Sequence, residues 1–373
     1  MGKDDSMGVT GTALIRVMEQ IAPPSLAVPK DRIGLQVGNP QQEVKGVLLT
    51  LDVTEAVIDE AIQKGLNWII THHAILYRPL TTIDTSTPKG RLLTKALAHE
   101  INILVAHTNL DTAIGGVNDV LAQRLQLQSV KPLEIHYIES LVKLVVTVPI
   151  SHEQQVIRAI TDAGAGWIGN YSHCTFRQQG TGTFLPQSGT NPFIGKAGKL
   201  EEVAETRLET ILPEKLTNKV LTALFANHPY EEVAYDLYPL KQAGKEYGLG
   251  RIGDLEKELS LEQLIKVIKK EYQVDGLRLV GDPTKKIKRV AVLGGAGGRY
   301  WPRALKQGAD VLITGDLDFH TAQDAWLAGF VLIDPGHHIE HLALEPLKEN
   351  LQGALSQLAI TVSQVNTNPF QFR

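Results

Sequence analysis

Residues 67–76 read NWIITHHAIL. Asn67 to Ile70 is a short apolar, β-rich run that turns polar at Thr71-His72-His73 before 74–76 resumes. Two adjacent imidazoles therefore stand where a buried strand should end, in place of ordinary turn residues. The neighbouring sequence explains the placement. Upstream, VKGVLLTLDV (44–53) is strand-like, and TEAVIDEAIQKG follows with a threonine cap, helical apolar spacing and a terminal glycine. Downstream, KGRLLTKALAHE predicts a helix and INILVAHTNLD a further strand. This β-α-β-α-β order predicts a layered sheet with helices, and it puts both histidine motifs at strand carboxyl ends. In open α/β sheets ligands bind at that edge.

The last third repeats this grammar. IKRVAVLGGAGG (287–298) runs from strand into a glycine-rich loop, GADVLITGDLDFHTAQDAWLAG (308–329) is strand, loop and helix, and FVLIDPGHHIEHLALEPLKENL closes with the same order. GLNWIITHH and GADVLITGD share a glycine, a buried run ending Ile-Thr and a polar pair. The match predicts two related α/β halves facing each other. The middle third instead reads strand, helix, glycine-punctuated strands, helix, strand, which resembles a small ferredoxin-like α+β unit. With KQAGKEYGLGRIGDL read as a loop, boundaries fall near Ile135 and Leu240. The expected organisation is a parent α/β domain of residues 1–134 and 241–373, interrupted by an inserted domain at 135–240.

The chain has 373 residues, 43% of them hydrophobic and 21% charged, an ordinary globular composition. A formal charge of −4 argues against a dedicated nucleic-acid binder. Cys174 is the only cysteine, which excludes an intrachain disulfide and a thiolate zinc site and reads as inert. No apolar run is long enough to span a membrane, and MGKDDSMG lacks the apolar stretch of a secretory signal. It matches the loose Met-Gly-x-x-x-Ser acylation pattern, but the two aspartates fit that poorly and an appended leader is the reading adopted. A cytoplasmic protein is expected.

Four of the twelve histidines form two pairs, His72-His73 and His337-His338. A lone histidine is usually a satisfied surface or core residue, but clustering changes that reading. Thr71-His72-His73, the 106–111 stretch AHTNLD and the 336–340 stretch GHHIE each follow an apolar strand and combine imidazole or carboxylate at one sheet edge. Neutral imidazole with carboxylate is the ligand set of zinc, iron and manganese. Where the backbone bends at a strand end, neighbouring histidines can each reach one of two metals, with a carboxylate bridging ions about 3.5–4 Å apart.

Together KDRIGLQVG, THH, AHTNLD, GVND, GLGRIG, TGDLDFHTAQDA and GHHIEH resemble, in family order from about residue 10 to the carboxyl end, the NGG-interacting-factor-three-like family. Its members also carry the name GTP cyclohydrolase I type 2 homologue. The split organisation is similar to longer bacterial members, whose insertion has a nitrogen-regulatory PII or CutA-like fold. The resemblance implies a dinuclear site of two divalent transition-metal ions per subunit between two α/β halves, in a toroidal homohexamer. Carried over by position, the ligands are His72, His73, Asp111, His337 and Glu340, with Asp111 and Glu340 as bridges and His107 an additional nearby imidazole. This sequence departs from the family in having Ala74 where many members have proline. Glu340 also stands three residues after His337, with His341 in the fourth place where many members have the glutamate. Either residue shares the helical face; a carboxylate can bridge two cations, so Glu340 is preferred and His341 stays open.

Other motifs are less specific. GGAGG (294–298) lacks the Lys-Ser/Thr of a phosphate-binding loop and reads as a tight turn of the pocket floor. His320 is a candidate catalytic acid or base, or a histidine packing at a helix start. Asp316 and Asp318 could orient metal-binding histidines or cap a helix. His228 and Tyr230 read as packing and subunit contacts. Function divides between a metal-dependent hydrolase of a small nucleotide-like or phosphorylated substrate and a regulatory or metal-handling oligomer. An architectural binder of protein or nucleic acid has little electrostatic support.

Overall fold

The computed structural model describes residues 8–371, so the amino-terminal acylation-like pattern lies outside the described residues. The chain forms two compact units, one containing residues up to Tyr137 and from Tyr247 onward, the other Ile138–Glu246. Strands are numbered β1 to β15 along the chain.

The larger unit holds two sheets. The first comprises β1 (Gly34–Val37), β2 (Val47–Thr50), β3 (Trp68–Thr71), β4 (Asn102–Val105) and β15 (Ile360–Val362), in the order β1-β4-β3-β2-β15. The second comprises β5 (Gln128–Ile138), β10 (Glu246–Ser260), β11 (Arg278–Val280), β12 (Lys286–Val292), β13 (Val311–Ile313) and β14 (Val331–Asp334), in the order β11-β14-β13-β12-β10-β5. Both repeat one arrangement. β2, β3 and β4 are mutually parallel with β1 antiparallel beyond β4, and β12, β13 and β14 are parallel with β11 antiparallel beyond β14.

Side-chain alternation divides the core into layers. Val47, Leu49, Trp68 and Ile70 of the first sheet join Val290, Val292, Val311, Ile313, Val331 and Ile333 of the second in one apolar cluster. Helices Gly11–Ile21, Val117–Arg124, Leu261–Glu271 and Leu344–Ala354 contribute to that middle layer. The alternate residues Leu48, Ile69 and Ile103 face outward under helices Glu55–Gln63 and Pro88–Ala98. Ala291, Leu312 and Leu332 do the same on the second sheet. Strands covered on both faces must be apolar throughout, which is why their sequences show no polar alternation. The helix Glu55–Gln63 starts where Thr54 accepts from the Val57 amide, and Gly65, at φ 67°, ends the segment in a left-handed turn.

The smaller unit contains β6 (Leu141–Pro149), helix Glu153–Asp162, β7 (Thr175–Phe184), β8 (Glu201–Pro213), helix Thr217–Asn227 and β9 (Tyr235–Pro239). Its sheet runs β7-β8-β6-β9, and both helices bury Val156, Ile160, Val220 and Leu224 against Leu144, Val146, Leu208 and Leu212.

One reading is corrected. KQAGKEYGLGRIGDL looks like a loop because of its glycines, yet from Glu246 it is the long strand β10. Gly248 and Gly253 serve close strand approach: a Cβ at Gly248 would lie 1.9 Å from the Glu134 carbonyl oxygen, and one at Gly253 2.7 Å from that of Gln128.

Candidate metal centre

His72 and His73 leave the carboxyl end of β3. His107 and Asp111 follow β4, the latter in the short helix Thr108–Thr112. His337 and Glu340 lie in the 3-10 turn His337–Ala343 after β14, entered through Gly336 at φ 91°. All these segments sit at carboxyl edges of parallel strands, so the two sheets bring them together across 267 residues of sequence. Glu340 Oε2 lies 3.0 Å from His73 Nε2, 3.2 Å from His337 Nε2 and 3.6 Å from His72 Nε2. His72 Nε2 is also 3.5 Å from Asp111 Oδ1. Among the described residues, three overlapping sets have ligand atoms within 4.8 Å of one another: His72, His73 and His107; His73, His337 and Glu340; and His72, Asp111 and Glu340.

Each imidazole is oriented through its other nitrogen. His72 Nδ1 donates to the Ala106 carbonyl at 2.9 Å, His73 Nδ1 to Asp52 at 2.7 Å, His107 Nδ1 to Asp31 at 2.9 Å and His337 Nδ1 to Asp316 at 2.7 Å. A hydrogen bond at Nδ1 selects the tautomer whose Nε2 lone pair is free, the form a metal requires. Asp52 is held in turn by Thr367, and Asp31 by Thr108.

The glycine loop forms a wall of the site. A Cβ on Gly295, at φ 64°, would approach Glu340 Oε1 to 2.8 Å and His337 Nε2 to 3.3 Å. Beneath it, Asn118 Nδ2 donates to the Asp111 carbonyl at 3.0 Å while Asn118 Oδ1 accepts from the Gly294 amide at 2.9 Å. The buried Arg251 pairs with Asp119 and also donates to the carbonyls of Ala113, Gly248 and Gly250. The GVND and GLGRIG motifs therefore tie the Asp111 segment to β10 and the glycine loop.

Charge is concentrated here. Burial opposes ionisation of Glu340, but His72, His337 and His73 hold its carboxyl well below the usual range. Burial lifts Asp111 to about 6. Burial works against a charged His73, yet the hydrogen bonds to Asp52 and Glu340 outweigh it and push the imidazole up to about 10. The Glu340 hydrogen bond raises His337 to about 9, against burial. His72 Nε2 and Asp111 Oδ1 are nonetheless buried without a hydrogen-bond partner. Such atoms are costly unless something satisfies them. A nitrogen and an oxygen that face each other at 3.5 Å without a hydrogen bond, beside further imidazole and carboxylate donors, fit a transition-metal ion.

The remaining candidates are members of none of these three sets. His341 Nδ1 donates to the His338 carbonyl at 2.6 Å, and its ring stacks on His338 at 4.6 Å. Asp318 caps the helix Phe319–Leu327 by accepting from the Thr321 amide, and His320 is exposed in that helix's first turn. Asp31 and Asp52 were not singled out from sequence. Asp31 falls within the KDRIGLQVG motif, and otherwise the signal for both is position, just before β1 and just after β2, where a carboxylate can turn toward the same edge.

Parallel strand ends that gather imidazoles and carboxylates in this way define an α/β protein with a candidate metal-binding centre. Residues 9–369 match the family described as Duf34/NIF3 (NGG1p interacting factor 3), and the chain belongs to that family. A protein of Halalkalibacterium halodurans named "GTP cyclohydrolase 1 type 2 homolog" is 48% identical over 366 residues, 97% of this chain and 98% of the relative. One of the same name from Bacillus subtilis is 46% identical, over 98% of this chain and 99% of the relative. A crystal structure described as a Bacillus cereus protein related to NIF3 superposes with a TM-score of 0.92 at 45% identity, covering 98% of this chain and 99% of that one. No described helix is long and apolar enough to cross a membrane.

Proposed function

We propose that this chain holds two divalent transition-metal ions per subunit, zinc, iron or manganese, and hydrolyses a small nucleotide-like or phosphorylated substrate. The observation that carries this reading is the pair of orphaned buried atoms, His72 Nε2 and Asp111 Oδ1, beside oriented imidazoles. One ion would be held by His72, Asp111 and Glu340, the other by His73, His337 and Glu340, with Glu340 shared and His107 adjacent. Bound ions would supply Lewis acidity and acidify water.

The chain's own residues suit open chemistry. His72, Asp111 and Glu340 are buried, whereas His73, His107 and His337 are partly exposed, which leaves one side for substrate. Asp31, Asp52 and Asp316 hold three of the rings against rotation. His320, exposed, is the proposed proton-transfer residue. The relatives' name points to GTP as the first substrate to test.

The smaller unit is proposed to be a ferredoxin-like, PII/CutA-like insertion, supported by its strand-helix-strand-strand-helix-strand order and β7-β8-β6-β9 sheet. The assembly is proposed to be a cytoplasmic homohexamer, testable by analytical ultracentrifugation. A second reading, a non-catalytic regulatory or metal-handling oligomer, draws support from a separate cavity in the smaller unit. Protein loaded with zinc, iron(II) or manganese and assayed against GTP, other nucleotides and phosphoesters decides between them. Turnover removed by chelator and by Glu340→Gln is expected. Full metal occupancy with no turnover on any of these would leave the second reading.

A further inference from the structure

The smaller unit contains a cavity of about 440 Å³ whose lining differs in character from the metal centre. It lies on the sheet face opposite the two helices, since Glu205 of β8 has the opposite parity to the core residues Leu208 and Leu212. Two connections cover that face: the one between β7 and β8 brings Phe193 over it, and the one between helix Thr217–Asn227 and β9 brings Tyr230. Phe184, Phe193 and Tyr230 line the cavity, with ring centroids 5.8 Å apart for Phe184 and Tyr230 and 6.4 Å for Phe193 and Tyr230.

The charge within it is of one sign. Glu205, Glu231 and Glu232 line the cavity, and among the described residues no lysine, arginine or histidine does. Glu205 is only 6% exposed. The Tyr230 hydroxyl donates to its Oε1 at 2.7 Å, while Oε2 accepts no hydrogen bond from any described residue. Gly182 stands over that second oxygen: a Cβ there would come within 2.2 Å of Oε2. The glycine leaves this oxygen accessible from the cavity.

A largely buried carboxylate whose second oxygen faces the cavity with no protein donor, walled by aromatic faces, selects its ligand on physical grounds. A neutral apolar molecule would complete its desolvation without a partner, which is unfavourable. An anion would be repelled. A divalent metal requires several oxygen or nitrogen donors converging at short range, and Glu205, Glu231 and Glu232 form no such converging set. An ammonium or guanidinium satisfies the carboxylate through a charge-assisted hydrogen bond and is attracted to the ring faces. We propose that this cavity binds a small organic cation, a protonated amine or guanidinium on an apolar or aromatic body, with its charge against Glu205 Oε2.

The test uses the full-length, metal-loaded protein and three probes of one shape: phenethylammonium, 2-phenylethanol and 3-phenylpropanoate. Calorimetric titration is expected to give saturable binding of phenethylammonium, tighter than the alcohol by about tenfold or more, with the carboxylate weakest. Glu205→Gln should abolish that preference, and Phe193→Ala should weaken the amine. Tyr230→Phe keeps the carboxylate and the ring and should retain amine binding. Intermolecular NOEs from the probe to the Phe184 and Phe193 rings are expected in the unaltered protein, so the proposal stays testable even where Glu205→Gln fails to fold. Equal affinity for the three probes, an amine preference that survives Glu205→Gln, or absence of those NOEs would overturn it. So would titration with zinc chloride alone that saturates a site lost in Glu205→Gln while the amine does not bind.

Discussion

Asp52 accepts a 2.7 Å hydrogen bond from His73 Nδ1, and the opposite edge of the same ring faces Glu340 Oε2 at 3.0 Å. One carboxylate thus fixes the tautomer that the other side of the ring needs. Asp52→Ala removes the orienting contact and leaves every candidate ligand in place. Metal affinity should fall by about 10–100-fold, with the fold retained, as read by chelator competition and far-UV circular dichroism. Unchanged affinity would mean that the ring is held by packing alone.

Glu340 and His341 make opposite predictions. Glu340→Gln removes the charge that His72, His73 and His337 converge on, so at least one ion per subunit should be lost by elemental analysis. His341→Ala removes a ring whose Nδ1 bonds to the His338 carbonyl and should leave occupancy intact. The reverse result would place the ligand one residue further along the chain.

The pH dependence has a definite sign. His73, at about 10, and His337, at about 9, are raised above the unfolded value of about 6.5. Their contribution to the stability of the metal-free protein is fully present below about pH 6.5 and is lost as pH rises through 9 to 10. Asp111, raised to about 6, acts in the same direction at lower pH. The metal-free protein should therefore melt at progressively lower temperature from pH 7 to 10. Metal must displace those protons, so affinity should rise with pH and binding should release protons, measurable by calorimetry in buffers of different ionisation enthalpy.

Gly295→Ala introduces a Cβ at φ 64° and within 2.8 Å of Glu340 Oε1. The backbone strain should cost roughly 1–3 kcal/mol in urea unfolding. Metal occupancy should also fall, because Glu340 must move. Gly65→Ala, at φ 67° with nothing within 4 Å of its Cβ, is the control: destabilised to a similar degree, with metal binding unaffected.

The central strands β2, β3, β4, β12, β13 and β14 were legible because their alternate residues are buried on two different faces, which leaves continuous apolar runs. β10 was not, because glycine has the same local signature in a loop as in a strand that another backbone approaches closely. Composition, periodicity and motif order thus determined the α/β class, the strand-end position of the histidines and the family resemblance. These are properties of short windows of chain, where burial imposes its pattern residue by residue.

Convergence is a different matter. That Glu340 lies 3.0 Å from His73, that Asp31 and Asp52 orient two of the rings, and that Asn118 bonds both the Asp111 segment and the glycine loop are decided only when the two sheets pack on one shared core. Nothing in a local window encodes a contact between residues 73 and 340. The carboxylates that hold Nδ1 have no spacing rule, since any aspartate at the correct depth can serve. Glu205 shows the same limit in the smaller unit: its alternation marks it as the outer face of a strand, and only the connections that bring Phe193 and Tyr230 over that face bury it. Sequence specifies which side chains each element offers, and tertiary packing specifies which of them share a site.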